Sequence, residues 1–339
     1  MKDVKVLSFE LWFLAFGSAF LAFMVFGCDK SLQTTDHPGS SFVDDLVPGA
    51  VRIIREGLAD DNPQIRAKAI EVVATTQRTK LMPKMQRLLK DDFVPVRFAA
   101  SLAVGDMEYH LAESSIKQLL KDPDENVRIA ASYAMNKISP PGSSELFGKA
   151  ISGSDQTVRA NATVILGKSG DKSALKLLYW SLRDKDSNDK VRFNAAEAIA
   201  MLGDERIYPK LWTMLISAYA DDRAMGIKAM GALGTEHAKN ALITMLDDNI
   251  LEVRLAAAEQ LGALKDTTGE PEVLDVFTKS LTAGLDKKDI EHVNMLTALA
   301  IGQIGTDRLT KFLPQLLKNE SKVVRIAAAK AVFQCQTAK

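Results

Sequence analysis

The chain returns, again and again, to an apolar residue followed by arginine. Ile65-Arg66, Val96-Arg97, Val127-Arg128 and Val158-Arg159 follow one another at a constant interval. That interval, about 31 residues, is in the range of repeat architectures. Val191-Arg192 comes two positions late, and Asp222-Arg223 and Val253-Arg254 resume the interval. Val293-Asn294 follows a longer step, of 40, and Val324-Arg325 returns to the regular one. From each step, apolar residues recur at i, i+3, i+4, i+7, i+8 and i+11. In the third copy these are Val127, Ala130, Ala131, Ala134, Met135 and Ile138. This is the period of a helix buried along one face, with small residues where a neighbouring helix comes close. Turns with glycine follow, as in LGDERIYP, LGTEHAKN and IGTDRLTK, and glycine suits a helix C-cap. A second helix then closes on paired apolar residues: Leu88-Leu89, Leu119-Leu120, Met245-Leu246, Leu316-Leu317. Asn62, Asp124, Asp155, Asn188 and Ser321 stand three positions before the step, where a side-chain oxygen caps the first helix.

The pattern predicts an all-α fold of about nine two-helix units of ~31 residues, stacked so that neighbours bury each other's faces. The segment from 43 to 59 reads as a starting half-unit and that from 324 to 338 as a closing helix. Across residues 43–339 these motifs resemble HEAT repeats, in the short form also found in phycobilisome lyases. The resemblance implies a right-handed α-solenoid with a curved surface that binds a protein.

In HEAT repeats an aspartate six positions before the arginine helps build a ladder between units. Asp60/Arg66, Asp91/Arg97, Asp122/Arg128, Asp186/Arg192 and Asp248/Arg254 fit that spacing. Arg159, Arg223 and Arg325 keep the arginine, but Gly153, Ser217 and Asn319 replace the aspartate, as does Lys288 in the eighth unit. Charges that recur at the repeat period belong to the scaffold rather than to a catalytic site.

Two further features are candidates for contact with a partner. The 40-residue step adds about nine residues, expected as a loop, and brings Lys287, Lys288 and His292 together in sequence. Second helices carry Lys84, Arg87, Lys117, Lys176, Lys210 and Lys239, a candidate basic stripe on one face.

The amino end differs from the rest. Leu11 to Gly27 is an uncharged apolar run behind Lys2 and Lys5. At 1.5 Å per residue it spans about 25 Å as a helix, short of a ~30 Å hydrocarbon core. This predicts a signal peptide over 1–27 or an uncleaved anchor, and both readings export the rest. Val25-Phe26-Gly27-Cys28 resembles the bacterial lipobox, which implies cleavage before Cys28 and acylation of its thiol. The resemblance implies a place on a bacterial cell membrane facing the periplasm, and Asp29 points to the inner membrane. Residues 28–42, with Pro38 and Gly39, are expected to form a polar tether.

Composition narrows the function. Lysine plus arginine equals aspartate plus glutamate at 43 each, so no global field favours nucleic acid. Two cysteines exclude a disulfide framework, and Cys335 reads as a small semi-buried residue of the last helix. His37, His110, His237 and His292 lie far apart, which predicts no metal cluster. Deoxyhypusine hydroxylases, a related fold, bind iron through His-Glu pairs, and this chain has none. No nucleophile elbow, phosphate loop or dinucleotide fingerprint occurs. The expectation is a lipid-anchored scaffold without catalysis or cofactor that binds a protein outside the cytoplasm. The alternatives are a lyase- or chaperone-like helper acting on a cofactor or client, and a structural subunit of an envelope machine.

Overall fold

The computed structural model describes residues 39–139 and 145–337. The leader, Cys28, Asp29 and His37 lie outside the described residues. Helix α1 runs Gly39–Gly57. Helical order therefore begins inside the stretch expected as tether, because Val43, Ala50 and Ile54 give it a face that is buried. The first unit has α2 (Pro63–Thr75) and α3 (Met82–Met85), which continues as a 3-10 turn over Gln86–Lys90. The second has α4 (Val94–Asp106) and α5 (Glu113–Leu119), and the third α6 (Glu125–Ile138) and α7 (Glu145–Ser152). The fourth has α8 (Gln156–Ser169) and α9 (Leu175–Arg183), and the fifth α10 (Asp189–Met201) and α11 (Tyr208–Leu215). The sixth has α12 (Ala220–Leu233) and α13 (Glu236–Thr244), and the seventh α14 (Leu251–Ala263) and α15 (Glu270–Thr278). The eighth has α16 (Lys287–Ile304), α17 (Asp307–Thr310) and α18 (Leu313–Leu317). The ninth contributes only α19 (Lys322–Thr337).

Capping explains where the first helices start. The side chains of Asn62, Asp124, Asp155 and Asn188 accept from backbone N–H groups of the turn that follows, at 2.7–3.1 Å. Ser321 does the same for Val323. Gly234 and Gly305 end α12 and α16 in the left-handed conformation that glycine adopts without cost. The first helices pack directly on one another from unit to unit. In several units a glycine stands nine positions after the step, where a methyl group would strike the next helix. At Gly262 it would sit 2.8 Å from the backbone of Gln303 and Ile304, and at Gly167 it would sit 2.8 Å from Ala198.

The stack closes on itself. Helix α1 packs on α19 and α2, and α19 packs on α2. The starting half-unit and the closing helix together make the ninth unit, α19 inside and α1 outside. At this seam Lys322 Nζ lies 2.6 Å from Asp60 and Lys330 Nζ lies 3.7 Å from Glu71. Arg78 donates to Gln336 at 2.8 Å and lies over the Phe333 ring at 4.0 Å. Gln336 in turn donates to Asp44 at 3.2 Å. The fold is a closed ring of nine units rather than an open curve.

The Arg-bearing helices line the inside of the ring. Burial pushes the Glu71 carboxyl up, opposed by Lys330, Lys68, Lys228 and Lys168, which come from four different helices including ones across the ring. Burial also pushes Glu259 up, against Lys330 and Lys228. Within the ring Lys168 pairs with Asp106 at 3.0 Å and Lys228 with Glu197 at 3.0 Å, and Tyr133 donates to Asp106 at 2.7 Å.

The ladder joins each arginine to the following unit. Arg66 donates two bonds of 2.8 Å to Asp91, and also one to the carbonyl of Asp60, six positions back. Arg97 meets Asp122 in the same way, and Arg223 meets Asp248 at 2.7 and 2.9 Å. One assignment is corrected. Arg159 reaches Asp184 at 2.6 Å, so Asp184 rather than Asp186 is the acceptor; it stands 25 positions on, as Asp91 does from Arg66, and the two residues added at the fifth step fall between it and Arg192. Arg192 donates to the carbonyls of Asp184 and Lys185 instead of to a carboxylate of the next unit. Arg128 likewise donates to the carbonyls of Asp122 and Pro123. Across the 40-residue step Glu272 takes the ladder place and accepts from Arg254 at 2.7 Å. The added residues do not all form a loop, since several lengthen α16 to 18 residues. Arg325 donates to the carbonyls of Asn319 and Glu320, and Cys335 is buried, its thiol 3.7 Å from the carbonyl of Ile301.

Candidate interaction surface

Short second helices form the outside of the ring, and their outward side chains are what a partner meets. The predicted basic stripe is on this surface but does not converge. Lys84, Arg87, Lys117, Lys176 and Lys210 are exposed or half-exposed and spread over the outer segments around the ring. Lys117 pairs with Glu113 at 2.6 Å and Lys239 with Glu236 at 2.5 Å, so these charges are satisfied within their own helices. Lys287 and Lys288 are exposed at the start of α16. His292 is half-buried, and burial pushes its imidazole below the ordinary range against the pull of Glu252, Asp289 and Asp221.

The structure singles out α9 and α11 instead. In α9, LKLLYWSLR, the buried pair Leu178 and Ser181 faces the ring, which turns Lys176, Leu177, Trp180 and Arg183 outward. Trp180 is 43% exposed, Trp212 of α11 39%, Ile216 66% and Tyr219 73%. Both tryptophans among the described residues are thus partly in water. Exposed tryptophan is uncommon on a free surface and is enriched at the centres of interfaces. Tyr208 stacks on Trp212 with ring centroids 6.5 Å apart and extends the patch along α11.

Beside Trp180 the surface sinks into an open depression of about 830 Å³. Tyr179 and Trp180 form its aromatic wall, with Arg183, Lys185 and Arg206 around them and Lys176 and Asp184 at the margins. The Arg183 and Arg206 guanidiniums lie 5.3 and 5.5 Å from the Tyr179 ring centroid, and Arg159 lies 5.3 Å from that of Trp180. Asp204 caps the turn Glu205–Ile207 by accepting from the Arg206 N–H at 3.1 Å. Its carboxylate also grips the Arg206 guanidinium, with an Nε bond of 2.8 Å. That fork holds Asp204 below the usual carboxylate range. The bond from Arg159 does the same for Asp184. Burial, and then Asp204, push the Tyr179 hydroxyl up, so it stays protonated at neutral pH.

Sequence reasoning missed Trp180, Trp212, Arg183 and Arg206. A signal is present: Trp180 and Trp212 stand about one repeat apart on successive outer helices, where Trp212 takes the place of Tyr179 and Trp180 is its neighbour. Among the described residues no group of His, Cys, Asp and Glu is placed to hold a metal ion, and no helix is long and apolar enough to cross a membrane.

The model of the family described as HEAT repeats matches residues 51–136, 144–225 and 215–289. Similar solved structures include the complex of CpcE and CpcF of phycocyanin lyase from a Nostoc species. It is 16% identical, with 82% of this chain and 100% of that chain covered and a TM-score of 0.43. Human deoxyhypusine hydroxylase in complex with glycerol is 16% identical over 89% of this chain and 99% of its own, with a TM-score of 0.36. Kap121p is 14% identical over 83% of this chain and 37% of its own, with a TM-score of 0.32. No characterised protein sequence matches the chain.

Proposed function

The chain belongs to the HEAT repeat family, and from that premise we propose that it is a ring-shaped scaffold, held to a membrane by a lipid on Cys28, that docks a protein on the extracytoplasmic side. The observation that carries the docking face is the exposure of Trp180 and Trp212 on adjacent outer helices. Helix α1, through which any leader enters the ring, belongs to the ninth unit. In a nine-membered ring the fourth and fifth units stand opposite the ninth. A ring hung from α1 therefore presents α9 and α11 away from the membrane.

Two measurements test the reading. Purification from detergent-solubilised membranes should recover the same partner repeatedly with the wild-type chain and lose it with Trp180→Ala/Trp212→Ala, while Lys84→Ala keeps it. Consistent absence of a partner, or its retention by the double variant, removes the docking face. Separately, Cys28→Ala should abolish acyl labelling. Intact mass of the wild-type protein should lack residues 1–27, and their retention would replace the lipid with an uncleaved anchor.

A further inference from the structure

We propose that the depression on α9 binds an acidic segment of the protein partner, a short run of carboxylates bearing an aromatic or aliphatic side chain. This rests on the docking face proposed above and names the chemistry that face reads.

The argument is local charge imbalance on a chain that is otherwise balanced. Lys176, Arg183, Lys185 and Arg206 line the depression against one carboxylate, Asp184, and that carboxylate already serves Arg159. Some outer cations are paired within their helix, as Lys117 is with Glu113 and Lys279 with Asp275, and others such as Lys84 stand singly; at the depression several unpaired cations share one site. Lys176, Arg183 and Lys185 have no such carboxylate among the described residues. Cations held this close repel one another, and an incoming anion relieves that repulsion. Arg206 is held in place by Asp204, and Arg183 and Arg206 both lie against Tyr179. Arg206 already gives its fork to Asp204, so the Arg183 guanidinium, held against the same ring, is the planar, forked donor left for a carboxylate. Trp180 at the edge adds a flat apolar anchor for a neighbouring side chain. At about 830 Å³ the space suits a few residues rather than a polymer groove. A membrane surface fits less well, because the depression lies in the unit opposite the ring's point of entry at α1.

The test uses the full chain in neutral detergent and fluorescence anisotropy with a labelled peptide Glu-Asp-Phe-Glu-Glu-Leu. Its amide counterpart Gln-Asn-Phe-Gln-Gln-Leu is the control. The acidic peptide should bind saturably and the amide peptide at least about tenfold more weakly. Lys176→Glu/Arg183→Glu should weaken the acidic peptide by about tenfold or more, and so should raising salt from about 0.05 to about 0.5 M. The milder Arg183→Gln, with circular dichroism unchanged, should weaken it in the same direction. Lys117→Glu, on another outer helix, should leave it unchanged. Equal binding by the charge-reversed variant, equal binding of the amide peptide, or preference for phosphatidylglycerol vesicles over the peptide would overturn the proposal. If the partner is lost with the tryptophan variant yet kept by Lys176→Glu/Arg183→Glu, the docking face stands and the acidic-segment inference falls. If the tryptophan variant keeps the partner, the face itself fails.

Discussion

The interface between the sixth and seventh units and the seam between the ninth and first do the same task by different means. Inside the stack, Arg223 and Asp248 form a two-pronged bond, both nearly buried. At Gly231 a methyl group would lie 3.0 Å from the Cβ of Gln260 on the next inner helix and displace that side chain. At the seam the ladder arginine, Arg325, meets backbone carbonyls, and Asp60 is taken by Lys322, which is 55% exposed. The register that holds glycine in several units holds the fully buried Phe333, with Arg78 over its ring. Interior units are neighbours by covalent connection and need only tight, repeated surfaces. The seam joins residues about 260 positions apart, so it needs a large apolar plug and an outer helix from the other end of the chain.

Packing gives the largest expected difference between the two regions. A methyl group at Gly262 would meet backbone atoms of Gln303 and Ile304 at 2.8 Å, and covalent neighbours cannot part to admit it. Gly262→Ala should cost about 3 kcal/mol, at the upper end for overpacking, and lower the melting temperature by roughly 5 °C. At the seam, a methyl group on Gly57 would meet the Ala69 methyl at 3.0 Å and the tip of Ile326 at 3.3 Å. The Ile326 tip can turn aside, and the fixed Ala69 methyl needs a shift of only a few tenths of an ångström, so Gly57→Ala should cost about 1 kcal/mol. Calorimetry of the two variants compares them directly, and equal losses would mean that the seam is as rigid as the interior.

The ladder comes next. Arg223→Ala removes a guanidinium from a nearly buried pair and leaves Asp248 without its strongest partner, at a cost of about 2–3 kcal/mol. Arg325→Ala removes bonds to two carbonyls, one of them exposed to solvent, and should cost about 1 kcal/mol. Urea titration of both variants should separate their midpoints. A larger loss for Arg325 would show that the seam depends on it through a contact other than these carbonyls.

Much of this architecture is written in the sequence, because local forces set it. The Val-Arg spacing reports a helix face, Asn62 or Asp155 reports where a helix starts, and Asp91 reports a partner for Arg66. Closure is not local. It depends on the small rotation from each unit to the next, summed over nine units, which no single motif encodes. Two traces are nonetheless present: a half-unit at each end, which together make one, and Phe333 where Gly262 and Gly302 set the pattern. The candidate site is harder to see. Lysines at repeating places, such as Lys117 and Lys239, suggest a stripe, but the helices they sit on already pair them with Glu113 and Glu236. Tyr179 and Arg206 come from different units, and only the packing of α9 against the next turn brings them together. Asp184 escapes a rule counted back from the following arginine, because the two residues added at the fifth step delay the helix and leave the turn in place.

The smallest expected effect is the most specific to the seam. Lys322 is more than half exposed, so its pair with Asp60 is screened by water, and Lys322→Ala should cost under about 1 kcal/mol at neutral pH. Burial alone would raise the Asp60 carboxyl, but Lys322, the Asn62 N–H and Arg66 outweigh it and hold the group below the usual carboxylate range. A depressed acid contributes stability above its unfolded pKa of about 4, and the contribution is lost as pH falls through the lower folded value. The cost of Lys322→Ala should therefore be full at pH 6–7 by this linkage and shrink as pH falls below the ordinary carboxylate range and Asp60 takes up its proton. Gly57→Ala, which acts at the same seam through packing, should show no such dependence. Denaturation of both variants across that range distinguishes the two contributions, and a cost for Lys322→Ala that does not change with pH would mean that the lysine stabilises the seam by its methylene chain rather than by its charge.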